Sequence, residues 1–249
     1  MISGLALTIA AVALPTAAPE ISWHNVTLGA PALSLRAVLG DPLRIVPVNG
    51  ERVGRYWLPG ADSTYLLVIE GRGRVHSFEA FTNTAPEGVL QNVLPDPSGV
   101  RLGDTMDSVK AKHPEFRESV DEDGNPILIV RISPTAVVGY VFRNNRVSSF
   151  HWSAPLSDSQ ADLPPLALPA GDSFATAILD MQENEDAGVA WEYRFLAFHP
   201  CAENTRWQLK NQALTKNGGR AYDLLHVVCP ATKAERDFYF DITSFYGKL

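Results

Sequence analysis

Between residues 99 and 152 the spacing of apolar positions changes from helical to alternating. Met106, Val109 and His113 recur on one helical face, with Asp104 or Thr105 as the cap and Pro114 as the stop. After an acidic turn at 121–126, residues 127–132 read as a strand. Residues 139–142, the Asn144-Asn145 turn and residues 146–152 then predict a hairpin. A looser version of the same order comes earlier. Residues 23–28 read as a short strand, and 28–42 as a helix with Pro31 in its first turn and Gly40 and Pro42 at its end. Strands at 55–58, 65–70 and 74–81 follow, around turns at 59–62 and 71–73.

Laid over one another, the two stretches share identities at both ends. At an offset of 74, Leu28, Gly29, Ser34 and Ala37 meet Leu102, Gly103, Ser108 and Ala111. At an offset of 72, Arg74, Val75, Ser77 and Phe78 meet Arg146, Val147, Ser149 and Phe150. This predicts a tandem repeat of a helix-plus-hairpin unit, at about 28–81 and 102–152, within a domain covering 20–153. The motifs G-x-x-x-x-x-L-x-x-V-L-G-D-P from Gly29 and G-x-T-x-x-x-V from Gly103 resemble the helix–hairpin unit of the BamE/SmpA-type assembly lipoproteins and of β-lactamase inhibitor protein. The resemblance covers about residues 28–152 and carries over no binding residues. It implies an exported, non-enzymatic protein whose sheet face or loops contact another protein.

Pro155, Pro164, Pro165 and Pro169 mark residues 154–171 as a semi-extended linker. In the remaining unit, 172–249, Asp172 or Ser173 is expected to cap a helix to about residue 186. Strands are expected at 189–198, 206–214, 222–228 and 238–245, because Trp191, Tyr193 and Phe195 alternate with Glu192 and Arg194. The predicted class is therefore α+β: two tandem helix-plus-antiparallel-hairpin repeats forming a sheet, then a helix on a four-stranded antiparallel sheet.

Composition narrows the function. The chain of 249 residues is 45% hydrophobic, enough for one large or two small cores. Its formal charge is −7 and no segment is basic, so a grip on nucleic-acid phosphates is not expected. Residues 1–19 form an uncharged run rich in Ala and Leu that ends in small residues, read as a secretory signal cut near Ala13 or Ala18. No later stretch is long and apolar enough for a membrane helix. Cys201 and Cys229 are expected to pair, as in a periplasmic or extracellular compartment, and no cysteine follows the signal to carry a lipid.

Chemistry-bearing motifs are sparse. There is no G-x-S-x-G, phosphate loop or dinucleotide fingerprint, and no cofactor is expected. The histidines at 24, 76, 113, 151, 199 and 226 show no metal-ligand spacing, so no metal is expected. The Asp121–Asn125 stretch lacks the other ligands of a calcium loop and reads as a solvated turn. Residues 147–193 hold eight acids and no Lys or Arg, either a solvated zone or a meeting place for a cationic partner. Tyr56, Trp57, Tyr140 and Trp152 fall on the repeat strands and are the candidate partner-binding residues if that face is open, core residues if it is covered. The first functional reading is an exported protein-interaction module with a protein partner. Two alternatives stay open: a hydrolase using carboxylates such as Asp104, Glu192, Asp223 and Asp241, and a small-ligand carrier lined by Trp191, Phe195 and Trp207.

Overall fold

A computed structural model describes residues 20–58, 63–156, 160–202 and 205–248; the expected signal at 1–19 and the turn at 59–62 lie outside them. The described residues open with a two-residue hairpin, β1 (Ser22–Trp23) and β2 (Val26–Thr27), turned by His24 and Asn25 at φ 48° and 61°. A 3₁₀ turn (Ala32–Leu35) continues into a single α-helical turn, α1 (Arg36–Leu39), ended by Gly40 at φ 75°. Four strands follow as an antiparallel meander: β3 (Arg44–Val48), β4 (Glu51–Trp57), β5 (Thr64–Gly71) and β6 (Arg74–Thr82).

After a long loop comes α2 (Met106–Lys112), whose cap is Thr105: its hydroxyl accepts from the Ser108 N–H at 3.3 Å. A second meander consists of β7 (Arg117–Val120), β8 (Pro126–Ser133), β9 (Ala136–Arg143) and β10 (Arg146–Ser153). The two meanders join through β6 and β10, with Phe78 opposite Trp152 and Ala80 opposite Phe150. One eight-stranded antiparallel sheet results, in the order β3-β4-β5-β6-β10-β9-β8-β7. Its inner face carries Tyr56, Leu66, Phe78, Tyr140, Phe142, Phe150 and Trp152 into a core closed by Leu35, Val93, Leu102 and Val109. Each fully buried large side chain there stabilises by about 1.5–3 kcal/mol.

Tandem helix-plus-hairpin repeats are not what forms. The helix expected over 28–42 shrinks to the 3₁₀ turn and one α turn, because only eight residues separate Pro31 from the break at Gly40. Each half contributes four strands to the sheet, not the three expected. The extra outer strands β3 and β7 are mostly exposed edges, so their sequences lack the apolar alternation that identifies a half-buried strand. The residues matched at both ends of the two stretches do make matched contacts. The Gly29 and Gly103 N–H groups donate to the Val75 and Val147 carbonyls at 2.6 and 2.8 Å. Arg74 and Arg146 donate back to the Gly29 and Gly103 carbonyls at 3.2 and 2.8 Å.

The C-terminal part departs further from expectation. The stretch 172–186 is not one helix: a 3₁₀ turn (Phe174–Thr176) leads to β11 (Ile178–Leu179). The supposed strand at 189–198 lies inside α3 (Glu185–Phe198). Asn184 caps it by accepting from the Ala187 N–H at 3.0 Å, and Glu185 and Asp186 complement the dipole of its first turn. Trp191 and Phe195, four apart, share the face that packs on the sheet. That sheet is β11, β14 (Glu235–Asp241), β13 (Arg220–Val228) and β12 (Gln208–Asn217) in order, with β11 parallel to β14 and the other pairs antiparallel. The Cys201–Cys229 disulfide, with Cα atoms 5.6 Å apart, ties the chain just past α3 to the end of β13.

The proline-rich stretch is not a free spacer where it is described. Leu166 is buried and its N–H donates to Glu70 at 3.1 Å, while the Leu163 N–H donates to the Arg72 carbonyl at 3.0 Å. The two sheets are also joined at Asp41, which is fully buried. Its carboxylate meets Arg36 at 3.0 Å and accepts the Leu179 N–H at 2.7 Å. Burial raises the Asp41 carboxyl above its ordinary pKa against these partners.

Candidate functional site

The four expected partner-binding aromatics are core residues. Tyr56, Trp57, Tyr140 and Trp152 are 3%, 8%, 0% and 1% exposed, so none presents a ring to a partner. Tyr56, Tyr140 and Trp152 point to the inner core, whereas Trp57 points the other way, under Arg194, whose guanidinium lies 4.4 Å from its ring centroid. Tyr140 and Trp152 converge on Asp96, a residue the sequence did not single out. Its Oδ2 accepts the Tyr140 hydroxyl at 2.7 Å and the Trp152 indole N–H at 3.0 Å. Its Oδ1 accepts the Ser98 and Val100 N–H groups and the Ser98 hydroxyl at 2.8–2.9 Å. Five donors satisfy one buried carboxylate, as burial of a charge requires.

His113 Nε2 lies 3.1 Å from Ser98 Oγ, which brings Ser, His and Asp side chains together. The order is wrong for a nucleophile. The serine hydroxyl is committed to Asp96, so the histidine donates to it and does not remove its proton. Burial lowers the His113 pKa, in line with a neutral, packed ring stacked on Tyr140.

The opposite, outer face of the eight-stranded sheet carries a row of apolar side chains that are only partly covered. Register puts Ile127 and Val141 in one row, Ile129 and Gly139 in the next, then Arg131 and Val137. Ile127, Ile129, Val137 and Val141 are all half-buried, flanked by His151 and Glu79, which approach to 3.7 Å. A hollow of about 360 Å³ opens beside them, lined by Phe81, Val141, Ser149, Arg143 and Asp121 among others. Beyond Phe81 the same face is covered by α3 through Trp57, Tyr65 and Phe198. One signal for this surface was present in the chain. I-L-I-V at 127–130 and A-V-V-G-Y-V-F at 136–142 are continuous apolar runs, as in strands buried on both faces, not the in–out alternation of a sheet with one wet face.

Among the candidate carboxylates, two are occupied structurally. Asp104 accepts the Arg101 N–H at 3.0 Å and pairs with Lys112 at 3.1 Å; Asp241 pairs with Arg220 and accepts the Thr243 hydroxyl at 2.7 Å. Glu192 and Asp223 do come together, α3 against β13, and hydrogen-bond one another, which requires a proton between them. Burial, then the charges of Asp223 and Asp180, push the Glu192 carboxyl up to about 10. Burial also raises Asp180 and Asp223. Among the described residues no group of three His, Cys, Asp or Glu side chains is placed to hold a metal ion. Trp191, Phe195 and Trp207, expected around a ligand, instead pack with Phe238 in the core between α3 and its sheet.

No family model matches this chain, and no curated protein does. Solved structures similar to it include two of bacterial origin. One is a cysteine-rich secretory protein from Staphylococcus aureus subsp. aureus Mu50, at 12% identity and a TM-score of 0.38, over 55% of this chain and 46% of that one. The other is an extracellular protein containing a SCP domain from Bacillus anthracis str. Ames, at 13% identity and a TM-score of 0.39, over 59% and 50%. The chain therefore matches about half the length of each. The resemblance to BamE/SmpA-type lipoproteins and β-lactamase inhibitor protein drawn from the sequence does not hold: the similar structures are described as a cysteine-rich secretory protein and an extracellular protein containing a SCP domain, and the chain forms one eight-stranded sheet, not tandem helix-plus-hairpin units.

Proposed function

We propose that this is an exported protein-interaction module whose partner seats on the outer face of the eight-stranded sheet. The observation that carries the reading is the apolar outer row of Ile127, Ile129, Val137 and Val141, only half-buried on a face that an antiparallel sheet open to water fills with polar side chains. Gly139 keeps the centre of the row flat, and Arg117, Arg131 and Arg143 stand around it. A protein with an apolar patch rimmed by acids complements that arrangement. The disulfide supports export, since such bonds persist in oxidising compartments.

The test is site-specific photo-crosslinking of the whole protein in its native host. Crosslinkers replace Ile129 or Val141, with a control at Tyr239 on the C-terminal sheet. The expected result is one partner captured from both outer-face positions, not from the control, and lost when Val137→Asp is added to a chain that circular dichroism shows to be folded. Capture of the same proteins from Tyr239, or none from the outer face, would overturn the reading.

A further inference from the structure

A second surface carries an independent inference. Between α3, β12 and the C-terminal turn lies a cavity of about 150 Å³. Its walls are Val189, Leu214, Ile242, Phe245 and Tyr246; its floor is the Glu192–Asp223 pair. The mouth is apolar and wet: Leu214 is 54% exposed, and Val189, Tyr246 and the neighbouring Tyr193 are 39–43% exposed. The floor is polar and dry, with Glu192 and Asp223 1% and 8% exposed. Among the described residues, Glu192 Oε2 and Asp223 Oδ1 are buried and accept from no backbone N–H and no neighbouring amide, hydroxyl or cation, so only the proton shared by the two carboxyls serves them, while the other Asp223 oxygen accepts the Gln212 amide at 2.5 Å. An apolar throat above two carboxyl oxygens in need of a proton or cation is the complement of an amphipathic amine.

We propose that this cavity binds a small primary ammonium ligand with an apolar body the size of one ring, its –NH₃⁺ held by Glu192 and Asp223. The volume agrees with that size, since an apolar cavity of about 150 Å³ accommodates benzene. An ammonium also brings three donors where the shared proton supplies one. Binding then exchanges the shared proton for the ligand's charge, so a proton is released and affinity rises with pH. The charges that act on Glu192 are Asp223 on β13 and Asp180 after β11; around them, the Gln212 amide on β12 holds Asp223, Glu185 in the first turn of α3 lines the cavity, and the Lys216 ammonium lies 5.0 Å from the Tyr246 ring at the mouth.

Calorimetric titration of the full chain with benzylammonium tests the site, run at pH 6 and pH 8 in buffers of differing ionisation enthalpy. The expected result is saturable one-to-one binding, tighter at pH 8, with buffer-dependent heat from proton release and at least tenfold loss in Glu192→Gln. Leu214→Trp, a change at the exposed mouth that leaves the floor intact, is expected to block binding as well. The inference is overturned if no saturable binding is seen below about 10 mM. It also fails if benzyl alcohol binds as tightly as benzylammonium, or if both variants bind as the parent does. None of these results bears on the outer face of the larger sheet.

Discussion

Replacing Asp96 by Asn tests whether Tyr140 and Trp152 are held as core. The amide oxygen can take the place of Oδ1 and keep the Ser98 and Val100 donors. The amide nitrogen then replaces Oδ2 and faces the Trp152 N–H, another donor that cannot turn round, and the Tyr140 hydroxyl, which can. One buried donor is stranded, at about 1–3 kcal/mol, and the three retained bonds lose charge assistance, each by up to about 1 kcal/mol. Relief from burying a charge offsets part of this. The net expectation is about 2–4 kcal/mol of destabilisation, or a melting temperature roughly 5–15 °C lower for a chain of this size. Urea unfolding followed by tryptophan fluorescence measures it. A double-mutant cycle with Trp152→Phe gives the specific term: its cost should fall by about 1 kcal/mol or more in the Asp96→Asn background. A shift within about 0.5 kcal/mol of the parent, or strict additivity in the cycle, would refute the argument that Asp96 holds these rings.

Gly103→Ala should destabilise far more than Gly29→Ala. Both glycines have φ near 87°, costing a side chain about 1–2 kcal/mol, but a Cβ at 103 would meet the Gly88 carbonyl oxygen at 1.9 Å, whereas at 29 it meets nothing within 4 Å; thermal melts of the two variants decide. Reducing the disulfide, or Cys201→Ser with Cys229→Ser, should cost about 3–4 kcal/mol for its 28-residue separation, read as a drop in the urea midpoint of the C-terminal part. Glu192 is protonated in the folded protein up to about 10 but ionises near its ordinary value once unfolded. Its stabilising contribution is therefore complete in acid and declines as pH rises from about 4.5 towards 10. Asp180 and Asp223 act in the same direction. Urea midpoints should accordingly fall between pH 5 and pH 9, and less steeply in Glu192→Gln; parallel profiles would remove Glu192 from the account.

Local chemistry alone determined much of the sheet. Thr105 and Pro114 bracket α2 in the chain as they do in space, because a cap and a breaker act on their own neighbours. Strands β5, β6, β9 and β10 stand where the apolar spacing placed them, joined by turns at Arg72-Gly73 and Asn144-Asn145, all four with positive φ. Two cysteines leave one intramolecular pairing, and that is the bond present. The stretch from Val189 to Phe198 shows where local reading stops. Trp191, Tyr193 and Phe195 fit a strand, while Trp191 and Phe195, four apart, fit a helix equally well. What selects the helix is long-range: Gly188 admits the Phe245 ring, whose Cζ lies 2.2 Å from where a Cβ would stand, and Trp191 and Phe195 dock on Phe240. The same holds for the candidate site. Alternation along β4 sends Tyr56 and Trp57 to opposite faces, but only the packing of α3 decided that both faces are covered there and that the outer face is open further along, at Ile129 and Val141. Residue spacing sets which side chains share a face; what covers the face comes from chain more than a hundred residues away.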